Sequence, residues 1–291
     1  MLTTLLAFAA CKAPPPAPEG LDDSVQHLYR GFYDSDAEIG AGLTGLMDWF
    51  DAEGVELLDQ RAALDSVGAF SLAALTREDI AGLAFDGDPD PSLASGVVAL
   101  AEMGCDWKRA EQLLIRPDQH VVFEGDFDVY DRTFVTARGV YEDASETESF
   151  DPIDELLPAE ALADYPGTLM LTENATSSTD LGVTLPFDIN LHFRHGEFEV
   201  QGEMLNAFLI LSWAPAVATS DGGNTSLRQS WGIEANLQRP GDKTLRVFAS
   251  WVELDSTFVD SDSAVVKTSA VNKAQDSAER LSGICTGDIV L

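Results

Sequence analysis

The spacing of apolar residues changes character near Pro117, from helical before it to alternating after it. Ile39, Leu43, Leu46, Met47 and Phe50 recur at helical intervals, which predicts an amphipathic helix from Asp36 to Phe50. Thr76-Arg77-Glu78-Asp79 has the form of a capping box ahead of Ile80 and Leu83. Pro91 follows Asp90 as at the first turn of a helix. The apolar run Leu93 to Met103 continues that helix to Gly104, a natural stop. Asp106 is placed to cap a further helix through Trp107, Ala110, Leu113 and Leu114, which Pro117 ends. Cys105 then falls in a turn between two helices.

Beyond Pro117 the period shortens. Val121, Phe123, Phe127 and Val129 alternate with polar residues, and Phe134 to Tyr141 continues the strand-like texture. Asp151 to Asp164 reads as a helix or helical loop, and strands resume at Thr168. Phe187, Ile189, Leu191 and Phe193 share one face of a strand. A two-residue loop at His195-Gly196 would put Phe198, Val200 and Met204 on that same face of a hairpin. Ala207 to Trp213 is a continuous apolar run, as in a strand buried on both faces. Leu227, Trp231, Ile233, Ala235 and Leu237 alternate, as do Leu245, Val247, Ala249 and Trp251 after Pro240-Gly241-Asp242. Both sets share a face when the loop is those three residues, with Leu237 opposite Leu245 and Trp231 opposite Trp251. Ser220 to Ser226 is a loop between strands.

A sheet with one apolar face needs a cover. The last helix is the candidate: Asp262 or Ser263 caps it, Val266, Ala270, Val271, Ala274, Ala278 and Leu281 recur at helical spacing, and Gly283 ends it. The predicted fold class is therefore α+β: a helical region over 21–117, then an antiparallel meander with a covering C-terminal helix over 118–291. This order of elements is similar to that of helix-grip (START-like) domains, and half-open β-barrels of outer-membrane lipoproteins are a second analogue. Both resemblances imply an apolar ligand; a filled core without a cavity is the plainer expectation.

The first twenty residues follow a different rule. Leu2 to Ala10 is apolar and uncharged, suited to a secretory signal and shorter than the roughly 20 residues that span a bilayer. Ala9-Ala10-Cys11 resembles a bacterial lipobox. The resemblance implies a signal peptide over 1–10, cleavage before Cys11 and acylation of that cysteine. Ala13 to Pro18 favours polyproline II, so 11–20 reads as the lipidated cysteine and a stiff tether. Lys12 after the cysteine implies, by the same resemblance, the outer membrane.

Composition narrows the function. The chain has 50 acidic and 17 basic residues, net −33, which repels nucleic-acid phosphates and anionic lipid. With Cys11 acylated, Cys105 and Cys285 are the remaining thiols of an exported chain. A disulfide between them would contribute about 5 kcal/mol in the chain-entropy model; two free buried thiols are the alternative. Gly40, Gly42 and Gly45 match GxGxxG but lie inside the amphipathic pattern, where they allow close packing or mark a break in the helix. Asp86, Asp88 and Asp90 are the calcium candidates, although Pro91 and Val97 stand where an EF-hand loop needs glycine and glutamate. His192 and His195 form an HxxH that a strand would split between its faces. No nucleophile motif is present, and no catalytic residue or cofactor is expected. The sequence points to a non-catalytic, lipid-anchored envelope protein that binds an apolar ligand or an envelope partner. The alternative is a secreted hydrolase using carboxylates or calcium.

Overall fold

The structure, a computed structural model, describes residues 15–135, 169–180, 183–257, 260 and 262–291. Residues 1–14, Cys11 among them, most of the strand expected over 134–141 and the helix expected at 151–164 lie outside the described residues.

Two N-terminal helices open the chain, α1 (Gly20–Arg30) and α2 (Asp36–Ala52). Ser35 caps α2 by accepting the Glu38 N–H. The sheet strands are β1 (Ser71–Leu72), β2 (Ser95–Met103), β3 (Val129–Phe134), β4 (Leu169–Asp180), β5 (Val183–Val200), β6 (Glu203–Trp213), β7 (Ala218–Thr219), β8 (Thr225–Arg239) and β9 (Lys243–Ser256). Two helices, α3 (Trp107–Ile115) and α4 (Gln119–Val122), lie between β2 and β3, and α5 (Ala264–Thr286) closes the chain. All ladders are antiparallel. The order is β1-β2-β9-β8-β6-β5-β4-β3, with β7 on β8, and β1 and β3 do not pair to close it. This is an α+β fold with a helix-grip-like plan: an open antiparallel sheet with the long C-terminal helix laid along it.

The β8–β9 hairpin has the register that alternation requires, Leu237 against Leu245 and Trp231 against Trp251. Gly241 and Asp242 turn it with positive φ of 80° and 56°. Strand β6 is buried on both faces, Ala207, Leu209 and Leu211 in one core and Phe208 and Ile210 in another.

Several expectations are corrected. The run to Met103 is strand β2, not a helix; an apolar stretch buried on both faces has no period to separate the two. Residues 21–117 thus supply two strands of the sheet, and Cys105 sits between β2 and α3. Thr76–Asp79 is a turn in which the buried Asp79 carboxylate accepts the Thr76 N–H and hydroxyl and binds Arg30. Val121 lies in α4, not in a strand. His195-Gly196 is no loop: β5 runs on to Val200, and Gln201-Gly202, with φ of 52° and 81°, makes the turn. Phe193 and Phe198 therefore face opposite sides of one long strand. Helix α5 runs through Gly283, on which Ile289 packs, and ends at Gly287 in the left-handed region, φ 83°.

The largest correction concerns the cover. The apolar face of Trp231, Trp251, Leu237 and Leu245 packs under α1 and α2, against Leu28, Tyr29, Phe32, Leu43 and Phe50. Tyr29 meets Trp251 edge-on, ring centroids 5.9 Å apart. Helix α5 lies on the opposite face, where its Val271, Ala278, Leu281 and Ile284 join β2, β5, β6 and α3.

Candidate functional site

Strand register places small residues side by side beneath α5. Ser212 on β6 is opposite Gly232 on β8, and Gly232 is opposite Ser250 on β9. An added Cβ at Gly232 would come within 2.6 Å of the Ser212 hydroxyl. Towards this row α5 brings Ser277, and nearer its start Ala270 and Ser269. Small side chains on both sides leave a cavity of about 300 Å³, walled by Phe127, Phe187, Ile189, Leu191, Phe193 and Phe248, with Ser277 of α5 above. A second cavity of about 270 Å³ shares Ser250 with the first and lies towards the start of α5, between Val97, Leu185, Val252, Leu254, Val266 and Ala270, with Lys267 and Lys273 also in its lining. The apolar wall residues Leu185, Phe187, Ile189 and Leu191 are only half-buried, whereas their counterparts under α1 and α2 are buried. Apolar space of this size, lined by a few placed polar groups, is the form of a small-molecule site.

The polar groups are set by β3, β4 and the central strands. Arg132 and Asn174 are cross-strand partners, and Asn174 is opposite Ile189 of the cavity wall. Arg132 Nε donates to Asn174 Oδ1 at 2.8 Å and Nη2 to the Tyr130 hydroxyl at 2.5 Å. Its Nη1 donates to the carbonyls of Leu114 and Arg116, at 2.9 and 3.0 Å. The Tyr130 hydroxyl donates to Asn174 Oδ1 at 2.9 Å. Burial lowers the Arg132 guanidinium from its ordinary value. It raises the Tyr130 phenol, against the pull of the Arg132 charge. Across the cavity the buried Glu234 takes both Nε and Nη2 of Arg246 at 2.9 Å, a bidentate pair. Asp126 lines the cavity on the exposed side; partial burial raises its carboxyl, opposed by Lys273 and Arg280.

The residues singled out from sequence lie elsewhere. Cys105 and Cys285 are bonded, with Cα atoms 5.2 Å apart across 180 residues, and tie the start of α3 to the last turn of α5. Asp86, Asp88 and Asp90 border one surface depression with Glu253. Asp88, however, binds Arg77 at 2.6 Å and Asp90 accepts the Ser92 N–H and hydroxyl. Among the described residues no three His, Cys, Asp or Glu side chains gather as metal ligands. His192 and His195 take opposite faces: His192 contacts Tyr33 and Trp213, while the buried His195 binds Glu111 of α3 at 3.1 Å. His192 faces Leu211 across the ladder. Gly40, Gly42 and Gly45 lie within α2, where they admit the β5 backbone at Glu199, the Leu28 side chain and the Pro18 carbonyl. Sequence reasoning missed Tyr130, Arg132 and Asn174. The available signal was parity, since Tyr130 and Arg132 share a face with Phe134.

No family model matches the sequence, and no curated protein matches it. Solved structures do resemble the fold. A START superfamily protein from Mycobacterium smegmatis aligns with 67% of this chain and 99% of its own, at 8% identity and TM-score 0.38. The lipid transfer and protein localization domain of human StarD13 (DLC2) aligns with 66% of this chain and 77% of its own, at 7% identity and TM-score 0.39. Human STARD10 aligns with 76% of this chain and 83% of its own, at 8% identity and TM-score 0.35. Resemblance this distant says nothing of ligand or activity.

Proposed function

We propose that this chain is a non-catalytic carrier or sensor of an apolar small molecule, held in the cell envelope by acyl chains on Cys11. The observation that supports binding is the row Ser212, Gly232 and Ser250 beneath α5, beside which lie two largely apolar cavities that share Ser250. Burying apolar ligand surface there would contribute about 25 cal/mol per Å² before the costs of association. The hydrolase alternative gains no support from the lining. Glu234 is committed to Arg246, and Asp126 stands on the exposed side, so no second buried carboxylate is free among the described residues.

The anchor rests on the leader alone: an apolar run, Ala9-Ala10 before Cys11, then the Pro-rich tether. Several acyl chains on one cysteine hold a protein firmly, at about 0.8 kcal/mol per buried methylene. The binding test is titration of a fluorescent fatty acid into the Cys11→Ala chain: saturable uptake is expected, and none would refute the carrier reading. The anchor test is acyl-labelling and membrane fractionation of wild type against Cys11→Ala. Loss of label and of membrane retention is expected; equal retention would remove the anchor.

A further inference from the structure

Resting on that reading, the ligand's polar end can be assigned. Arg132 is buried in the cavity wall, and a buried guanidinium normally needs a carboxylate. Other arginines of this chain have one: Arg246 holds Glu234, Arg194 holds Asp36 and Arg30 holds Asp79. Arg132 has none among the described residues. Its partners are neutral oxygens of Asn174, Tyr130, Leu114 and Arg116. Fifty acids stand against 17 basic residues in the sequence, so carboxylates are not scarce. Those bonds use four of the five N–H groups of a guanidinium and leave one on Nη2 without an acceptor among the described residues.

The group is also fixed in place. Asn174 Nδ2 donates to the Thr172 hydroxyl and the Ile189 carbonyl, which turns its oxygen towards Arg132 and Tyr130. The guanidinium lies 5.3 Å from the ring centres of both Tyr130 and Phe193. A held, unneutralised cation in the wall of a largely apolar space matches an amphiphile with an anion at its tip. The Arg246–Glu234 pair lining the same cavity is internally neutral, Lys267 of the second cavity holds Asp262, and Asp126 feels Lys273 and Arg280 against Asp276.

We propose that Arg132, with Tyr130 beside it, receives the anionic oxygen head group of a single-chain amphiphile whose tail lies along the row Ser212, Gly232 and Ser250 and on into the second cavity. The test uses the Cys11→Ala chain and three probes of equal tail length: palmitate, hexadecyl phosphate and hexadecanol. Either anion is expected to bind about tenfold or more tighter than the alcohol, since a charge-assisted bond replaces a neutral one. The tighter anion identifies the head group. Arg132→Met is expected to abolish that preference while hexadecanol binding persists. Equal binding of anions and alcohol by wild type would overturn the assignment and leave the apolar-carrier reading intact. No binding of any probe would overturn both. Should Arg132→Met fail to fold, the wild-type comparison decides alone.

Discussion

Arg246 and Arg132 face the same space with opposite demands on their surroundings. Arg246 is neutralised inside the protein, so Glu234→Gln should leave a buried guanidinium without its carboxylate. A loss of about 3–5 kcal/mol is expected in denaturant unfolding, and a loss under 1 kcal/mol would show the pair to be dispensable. Gly40 is a second sensitive residue. A Cβ there would lie 2.6 Å from the Glu199 carbonyl oxygen, so Gly40→Ala should cost about 1–3 kcal/mol through overpacking, outweighing the roughly 1 kcal/mol gain in helix propensity. His192 gives a pH signature. Burial lowers its imidazole to about 4 from 6.5. Between those values the unfolded chain binds more protons than the native one, so stability is present above pH 6.5 and falls as pH drops towards 4. The loss is at most about 3 kcal/mol. A histidine NMR titration placing His192 near 6.5 would contradict this. Of these residues, close packing was one of two sequence readings of Gly40, but the arginines were not found, because their partners come mostly from other elements.

At the scale of elements, what was legible depended on whether a strand kept its apolar residues on one face. β8 and β9 carry large apolar residues at alternate positions along most of their length, so parity and Pro240-Gly241-Asp242 were enough to set their register. β5 buries Phe193 beneath α5 and Phe198 beneath α2, so its apolar residues switch parity mid-strand and mimic a turn. β2 is buried on both faces and shows no parity at all. Helix α5 was found from its period, but not the face it covers, because that depends on α1 and α2 competing for the bulkier side. Its tether to α3 through Cys105 and Cys285 yields a prediction. Non-reducing peptide mapping should recover the Cys105–Cys285 peptide pair, and Cys105→Ala with Cys285→Ala should cost about 2–5 kcal/mol. Alkylation of both thiols without reductant would contradict the bond.

At the scale of the whole molecule, one sheet is packed in two ways. Under α1 and α2 large side chains interlock; under α5 a row of small ones is left uncovered by the helix's own small residues. The order of elements made the helix-grip-like plan legible in the sequence. The cavity was not, since Ser212, Gly232 and Ser250 become neighbours only once three strands are in register. Ser250 lines both cavities, so filling it tests the functional account most directly. A fluorescent fatty acid should bind the Ser250→Leu chain about tenfold or more weakly than wild type, with little change in melting temperature, because the added side chain enters existing space. Undiminished binding by a folded Ser250→Leu chain would contradict a ligand site beneath α5.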